Sequence, residues 1–499
     1  MSNLSQTDMT LNAAQQQFFD RVVTGRFDKL LLTGEAGTGK TFVLTQVVSA
    51  LADAGIRLVV AAPTHLARLA LVSKLPPDSG VEAITVAALL AKFGYDPGDG
   101  STRFTEASSK NLSKYEVIVL DEVSMLGQKD FEVLKASNTR MVLCGDFAQL
   151  PAVMARSAME DMLGTLSDHV HLTEQMRQVG VIHTMAERNR HAVHYPERSE
   201  IGADGESITV HNSTDALIRT MISKMCDEIL DISQAVQYRY ITYTNKDVAQ
   251  ANHQIRSALV AKYINPLALA QPFTVGEPLM LYENLNIAYN GEIVHVKSVR
   301  PDADHAYNTQ YPWSSYMLNI SKPGVSTGRE IRAIPPAELP AFRAYFEDLQ
   351  TQLHSARISR EYDKADELLT EIRYIKSRWT NINYPYAVTC HKSQGMSIPY
   401  VFLNTASFTR ASNRRALLYV GISRAQVELH TVLVPRTARQ HVIDVNATYR
   451  AARAEYEELT GESYAKVRRR TGLATGSPEE KQIFTEYLQA LILDIKQDQ

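Results

Sequence analysis

The sequence predicts an α/β fold: doubly wound parallel sheets that carry an inserted β-hairpin, an inserted small β-barrel and a helical arm. Three observations predict it. Between residues 1 and about 195, the apolar runs Leu30–Leu32, Leu58–Ala62, Val117–Leu120 and Met141–Cys144 alternate with helical patterns. The runs lack polar alternation, as strands covered on both faces should. A second α/β pattern starts at Tyr240–Asn245 and resumes at Tyr386–Thr389, Tyr400–Asn404 and Leu429–Val434. The stretch between its halves is different in kind. From Val275 to about Ser326 there are short alternating runs with turn signals at Asn290-Gly291 and Lys322-Pro323-Gly324, which read as a small β-barrel. From Ala337 to about Trp379 the chain is charged and helical, and reads as a paired-helix arm.

The run Leu30–Leu32 leads into Gly34-Glu35-Ala36-Gly37-Thr38-Gly39-Lys40-Thr41, a complete G-x-x-x-x-G-K-[ST] loop. Its glycines let the backbone curl so that N–H groups point inward at phosphate oxygens. A helical stretch follows from about Lys40 to Ala52, so its N-terminus faces the same point. Lys40 is placed to reach the β and γ phosphates, and the Thr41 hydroxyl to hold Mg²⁺. The loop therefore reads as a nucleoside triphosphate site, with Gly34, Glu35, Ala36, Gly37, Thr38 and Gly39 lining it.

Between the second and third runs, residues 92–104 are rich in Gly, Pro and Asp and are flanked by aromatics. They read either as a projecting hairpin, spanning about residues 92–110, or as a surface loop. Val117–Leu120 ends in Asp121 and Glu122. At the end of a buried strand beside a phosphate loop, the first carboxylate can hold Mg²⁺ and the second can orient or deprotonate an attacking water. Val142-Leu-Cys-Gly145-Asp146 opens into a polar turn in which Gln149 can sense a γ-phosphate, because an amide both donates and accepts.

Bulk properties limit the reading further. At 499 residues the chain is too long for one core. With 44% hydrophobic and 21% charged residues, it has an ordinary soluble composition. No apolar run approaches the roughly 20 residues of a membrane span, and the N-terminus lacks a basic-then-apolar signal, so a cytoplasmic protein is expected. Cys144, Cys226 and Cys390 are far apart in sequence, which argues against a disulfide framework or a zinc cluster. A net charge of −3 means that any nucleic-acid site must be a local basic channel.

In their order, these segments resemble those of the superfamily 1B DNA helicases, the compact 5′-to-3′ group that includes Dda-like and RecD-like proteins. The resemblance covers residues 10 to about 435. It implies two RecA-like P-loop NTPase domains. The first spans 1–195, with the hairpin inserted. The second is built from 196–274 and 386–435, and 275–385 forms an inserted accessory domain. Leu11–Gln15 is similar to the adenine-reading segment, which gives Gln15 that role. Ala62-Pro63-Thr64-His65 and Thr85-Val86 resemble two motifs that touch single-stranded DNA. Leu172–Arg177 resembles the segment that supplies an arginine to the triphosphate. Val388–Ser397 resembles the motif of the second domain that contacts both DNA and nucleotide. Thr389, His391 and Lys392 then fall to DNA, and Gln394 and Gly395 to ATP. Leu418–Ala425 resembles the final motif, whose Arg424 reaches across the cleft.

The resemblance implies an ATP-driven, Mg²⁺-dependent helicase acting on single-stranded and forked DNA, in replication, recombination or repair and alongside proteins of those processes. It also implies a monomer, in the host cytoplasm if the chain is phage-encoded. Thr64, Thr85 and Thr389 suit phosphate contacts that ignore sequence. His65 suits base stacking or, more plainly, the first turn of a helix. Phe93, Tyr95 and Phe104 are candidates for the tip of a duplex-splitting wedge. A second implied reading is a RecD-like ATPase subunit that acts only within a nuclease complex. Residues 436–499 fall outside the resemblance and read as a helical extension. Its Lys466–Arg470 cluster is either a DNA contact or a solvated helix face.

Overall fold

The computed structural model describes residues 11–76, 79–92, 114–150, 158–166, 168–176, 180–306, 311–411, 413–435 and 449–457, together with 481, 484, 485 and 488. The first sheet has six parallel strands: β1 (Lys29–Gly34), β2 (Leu58–Ala62), β3 (Glu82–Thr85), β4 (Val117–Leu120), β5 (Arg140–Gly145) and β6 (Asp168–Leu172). Their order is β3-β2-β4-β5-β1-β6. The strand period of two decides the packing. Leu30 and Leu32 of β1 face Phe18, Val43 and Val47 of two helices on one side. Leu31 joins Ile118, Leu143 and Phe131 on the other. The four predicted runs are the four strands buried on both faces, and the predicted helix after the loop spans Lys40–Asp53.

The second α/β unit begins with β7 (Glu200–Ile201), β8 (Ser207–His211) and β9 (Tyr238–Thr242). After the helix Asn245–Tyr263 the chain leaves this sheet and makes β10 (Pro278–Leu281), β11 (Ile293–Pro301), β12 (Tyr316–Ser321), β13 (Arg329–Ala333) and β14 (Ile382–Asn383). These form a five-stranded antiparallel sheet, order β13-β12-β11-β10-β14. A bridge from Ala333 to Thr380 brings its two edges together, with Thr380 N donating to Arg332 O at 2.7 Å. The barrel-like insertion thus extends past Ser326 to Ala333 and closes through residues that follow the arm.

The arm is the helix pair Leu339–Ile358 and Tyr362–Arg378. Trp313, Leu349, Ile375 and Trp379 pack at its base, and Trp379 Nε1 donates to Ser315 Oγ at 3.0 Å. The chain then returns through β15 (Ala387–Thr389), β16 (Ile398–Leu403) and β17 (Ala425–Val432). The order of the second sheet is β15-β9-β16-β17-β8-β7, parallel except for the β7–β8 pair. Predicted strand Tyr240–Asn245 is shorter at its end, because Asn245 opens a helix capped by the Thr244 side chain.

The two units share packing. Ile182, Met185 and Ala186, on the helix Val181–His191, join the core of the second sheet with Leu417 and Leu418. The expected hairpin at about 92–110, with Phe93, Tyr95 and Phe104, lies outside the described residues but for its first residue. So do Arg177 and the Lys466–Arg470 cluster. Among the described residues no helix is long and apolar enough to cross a membrane.

One buried ion pair ties the insertion to the second unit. Arg256, on the helix Asn245–Tyr263, donates from Nε to Glu277 Oε1 at 2.7 Å and from Nη2 to Glu277 Oε2 at 3.1 Å. The two side chains are 8% and 0% exposed. Thr274 Oγ1 adds a third donor to the carboxylate at 3.0 Å. Removing one member of such a pair leaves the other charge buried and uncompensated. Glu277→Ala should therefore cost about 3–5 kcal/mol in equilibrium urea unfolding. A cost below about 1 kcal/mol, the scale of an exposed pair, would contradict this account of the junction.

Candidate functional site

The phosphate loop follows β1 at the carboxyl end of the sheet, between β5 and β6, and opens onto the Lys40–Asp53 helix. Gly37 and Gly39 take φ of 87° and 79°, in the left-handed region that glycine tolerates. A Cβ on Gly39 would lie 2.5 Å from Gln15 Nε2, and one on Gly37 2.7 Å from Gln175 Oε1. The loop is thus braced from outside as well as curled. Gln15 is fully buried: its Oε1 accepts from Asn12 N at 3.0 Å, and its Nε2 donates to Thr38 O at 3.1 Å. Met176 N donates to Gly37 O at 3.1 Å, and Gln175 Nε2 to Glu35 Oε2 at 3.2 Å. Lys40 Nζ donates to Gly34 O at 2.8 Å and Glu35 O at 2.6 Å, so its ammonium is held at the mouth of the loop.

Asp121 and Glu122 follow β4 on the same edge of the sheet. Glu122 has φ 53°, a left-handed backbone that costs a non-glycine residue about 1–3 kcal/mol. Its N–H donates to Asp121 Oδ1 at 2.9 Å. Burial raises the Asp121 carboxyl above the usual range. Burial and the neighbouring Asp121 push Glu122 up to about 7. Two carboxyls crowded into one dry corner, both resisting ionisation, make a place where positive charge is favoured. Gln149 is buried on the turn after β5, and its N–H donates to Asp146 O at 3.1 Å.

The second sheet supplies the opposite wall. Tyr419, on the helix Arg414–Ser423, donates its hydroxyl to Asp146 Oδ2 at 2.5 Å and accepts from Ala36 N at 3.3 Å. Gln394 Nε2 donates to Leu150 O at 3.1 Å, and Gln394 Oε1 is buried with no hydrogen-bond partner among the described residues. Gly395, φ 77°, passes within 3.7 Å of Ala67 N as measured from an added Cβ. Arg424 follows the same helix as Tyr419. Its guanidinium donates to Met396 O at 3.2 Å, Val420 O at 3.1 Å and Ser423 Oγ at 3.0 Å, all within its own unit.

A second cluster lies beside the first. Thr64, His65, Thr85, His391, Lys392 and Gln394 line one cavity of about 290 Å³. Thr64 and Thr85 are helix N-caps, accepting from Ala67 N and Ala88 N at 3.1 Å each. Each hydroxyl spends a lone pair on its helix and keeps its proton for another acceptor. Thr389 does not line the cavity. Its Oγ1 accepts from Lys392 N at 3.3 Å and so sets the turn that carries Lys392. Burial lowers His391 and pushes Lys392 down to about 8.

The loop 284–291 of the insertion reaches into this cavity. His65 stacks on Tyr289 with ring centres 4.5 Å apart and planes 9° apart. The Arg68 guanidinium lies 4.7 Å from the same ring centre. Lys392 Nζ bonds to Asn290 Oδ1 and lies 4.6 Å from the Tyr282 ring centre. Sequence reading missed Tyr289, and took Asn290 only as part of a turn signal in the insertion.

Fold and site together define a two-sheet P-loop ATPase with its nucleotide loop at the seam between the sheets. Residues 10–211 match the AAA domain model, and 384–432 the UvrD-like helicase C-terminal domain model. The chain is 24% identical over 457 residues to the ATP-dependent DNA helicase Dda of Enterobacteria phage T4, covering 85% of this chain and 99% of that protein. It is 27% identical over 192 residues to the ATP-dependent DNA helicase PIF1 of Xenopus laevis, covering 34% of this chain and 27% of that one. Among solved structures, Pif1 from Bacteroides in complex with ADP-AlF3 and single-stranded DNA is 18% identical with a TM-score of 0.46, covering 89% and 98% of the two chains. With an AAA domain and a UvrD-like helicase C-terminal domain, the chain is a Dda-like ATP-dependent DNA helicase.

The bracing of the loop gives a direct test. Gly39→Ala should weaken ATP binding about tenfold or more, since left-handed strain of about 1–3 kcal/mol adds to the collision with Gln15. Isothermal titration with ATP measures it. Unchanged affinity would mean that the loop does not depend on this curl.

Proposed function

We propose that this helicase moves 5′ to 3′ along single-stranded DNA and separates the duplex ahead of it, driven by Mg-ATP hydrolysis between its two parallel sheets. The observation that carries the reading is the meeting of both units at one phosphate loop: Ala36 N is bonded by Tyr419, five residues before Arg424. In this reading residues 1–195 form the first motor domain, 196–274 with 386–435 the second, and 275–385 an accessory domain.

Gly34–Gly39 and Lys40 hold the triphosphate. Charged phosphate oxygens are stronger acceptors than the carbonyls of Gly34 and Glu35 that now hold the ammonium. Gln15, Gln394 and Gly395 complete the ATP site. Thr41, in the first turn of the helix after the loop, and Asp121, buried within the field of Lys40, offer a hydroxyl and a carboxylate, oxygen ligands that suit a small hard cation. A magnesium ion held by these two residues would neutralise phosphate charge. Glu122, the more basic for its burial, takes the proton of the attacking water. Gln149 orients the γ-phosphate from the first sheet. Arg424, with Arg177, brings the positive charge that the transition state gathers.

The strand lies across both units, along Thr64, His65, Thr85, Thr389, His391 and Lys392. Hydroxyls and Lys392 meet phosphates, which fix the strand without reading its sequence. A base stacked on His65 would contribute about 1–3 kcal/mol in the place Tyr289 now holds. The 5′-to-3′ direction rests on the likeness to the Dda-like group.

Lys40→Ala should abolish DNA-stimulated ATP hydrolysis and leave the fold intact by circular dichroism. Retained unwinding in that variant would refute the motor site. Strand displacement by the purified chain alone, on duplexes with a 5′ or a 3′ tail, checks the rest. Activity confined to 5′ tails is expected. Activity confined to 3′ tails would overturn the direction, and none without partner proteins would favour the nuclease-complex reading.

A further inference from the structure

Asp146 follows β5 directly and is fully buried. Its carboxylate accepts from Arg190 Nη1 at 2.9 and 3.0 Å, from Tyr419 Oη at 2.5 Å and from Ala148 N at 3.1 Å. The Tyr419 hydroxyl is saturated. It gives its one proton to Asp146 and offers its lone pairs to Arg190 Nη1 at 3.1 Å and Ala36 N at 3.3 Å. Arg190, on the helix Val181–His191, also lies 3.8 Å from Glu35 and 3.7 Å from Glu187. Its guanidinium covers the Tyr419 ring at 5.5 Å, and its carbonyl accepts from Arg415. One buried acid therefore holds together the phosphate loop, the Gln149 turn and the helix that leads to Arg424.

We propose that Tyr419 and Arg190 are positioning residues that transmit occupancy of the phosphate loop to the helix carrying Arg424, and through it to the grip on DNA. This rests on the ATP-site reading above. Ala36 is the third residue of the loop, and its N–H now points at a neutral hydroxyl. A triphosphate offers the loop charged oxygens, whose hydrogen bonds are about twice as strong as neutral ones. The loop amide is then drawn from Tyr419. The rest of the cluster cannot relax independently. Asp146 is too buried to give up Arg190 without leaving an unpaired charge, or Tyr419 without leaving a buried carboxylate oxygen unsatisfied. Tyr419, Arg190 and Asp146 therefore reset as one body. The motion passes along Arg414–Ser423 to Arg424, and along the Asp146 backbone to Gln149. The Leu150 carbonyl, four residues from Asp146, holds Gln394, which borders the cavity of the strand site.

The readout is the affinity for fluorescent oligothymidine, by anisotropy, with a non-hydrolysable ATP analogue and without nucleotide. For the wild type the two should differ by a factor on the order of 5–150, the usual range of coupling between sites. Tyr419→Phe keeps the ring and its packing and removes the hydroxyl. Its ratio should fall to within about twofold of one, while nucleotide-free DNA affinity stays within about twofold of wild type. Arg190→Lys keeps the charge but not the planar fork, and should give an intermediate ratio. It carries the test if Tyr419→Phe does not fold. A wild-type ratio in either variant overturns the proposal. So does loss of nucleotide-free binding in a folded Tyr419→Phe, which would make the role structural. If the wild type itself shows no nucleotide dependence, the ATP-coupled reading falls and the proposal with it.

Discussion

A phosphate loop works only while its inner face is bare backbone and its outer face is held, and the rest of this molecule is arranged around that requirement. Gly37 and Gly39 let the backbone curl by adopting left-handed conformations, and their missing side chains leave room for the braces on the outer face. Gln15, Gln175 and Met176 hold the outer face from two other segments, and Tyr419 holds Ala36 from the opposite sheet. Because these braces come from residues so far apart in the chain, the loop reaches its shape only once both parallel sheets are formed and apposed. The loop's geometry is a tertiary property, although its motif is local.

The seam between the sheets concentrates charge that the near-neutral composition conceals. Asp121, Glu122, Asp146, Glu35 and Glu187 meet there, against Lys40, Arg190 and Arg424. Burial, with Glu35 as neighbour, pushes Glu187 up to about 7, as burial with Asp121 does for Glu122. A cleft that pushes two carboxyls up to about 7 favours incoming cations and cationic side chains. In the proposed mechanism, closure onto Mg-ATP and delivery of Arg424 would both answer that field. The proposed strand site is likewise a small local cluster, of His65, Arg68 and Lys392. Burial lowers His65 and Lys392 from their ordinary values, and a phosphate placed beside them would restore the charged forms.

Much of this was legible in the sequence where one physical rule acted alone. β1, β2, β4 and β5 were visible as apolar runs because both faces of each are covered. β3 (Glu-Ala-Ile-Thr) and β6 (Asp-His-Val-His-Leu) lie at the sheet edges, where polar residues dilute the run, and neither was seen. The motif residues Lys40, Asp121, Glu122 and Gln149 were legible by spacing, and the fold gathers them along one sheet edge. Arg190 and Tyr289 were not, because a lone arginine or tyrosine carries no pattern until the fold supplies its neighbours. Tyr419 lies inside the segment singled out for Arg424, and Asp146 inside that for Gln149. The signal was in hand, but nothing in either segment showed that the two side chains meet. Gln15 was expected to read adenine. What the structure adds is that both ends of its amide are engaged in bracing the loop.

The central claim is that one hydrolytic site is built from two units, and Arg424 tests it most directly because it belongs wholly to the second. In the state described, its guanidinium is held by carbonyls of its own unit and is free to exchange them for phosphate oxygens. Arg424→Ala should bind ATP with nearly wild-type affinity and lose about 10³-fold or more in DNA-stimulated kcat. Steady-state hydrolysis with and without single-stranded DNA, beside a direct ATP titration, separates the two effects. A variant that hydrolyses ATP at the wild-type rate would show that the first unit acts alone, and would contradict the account.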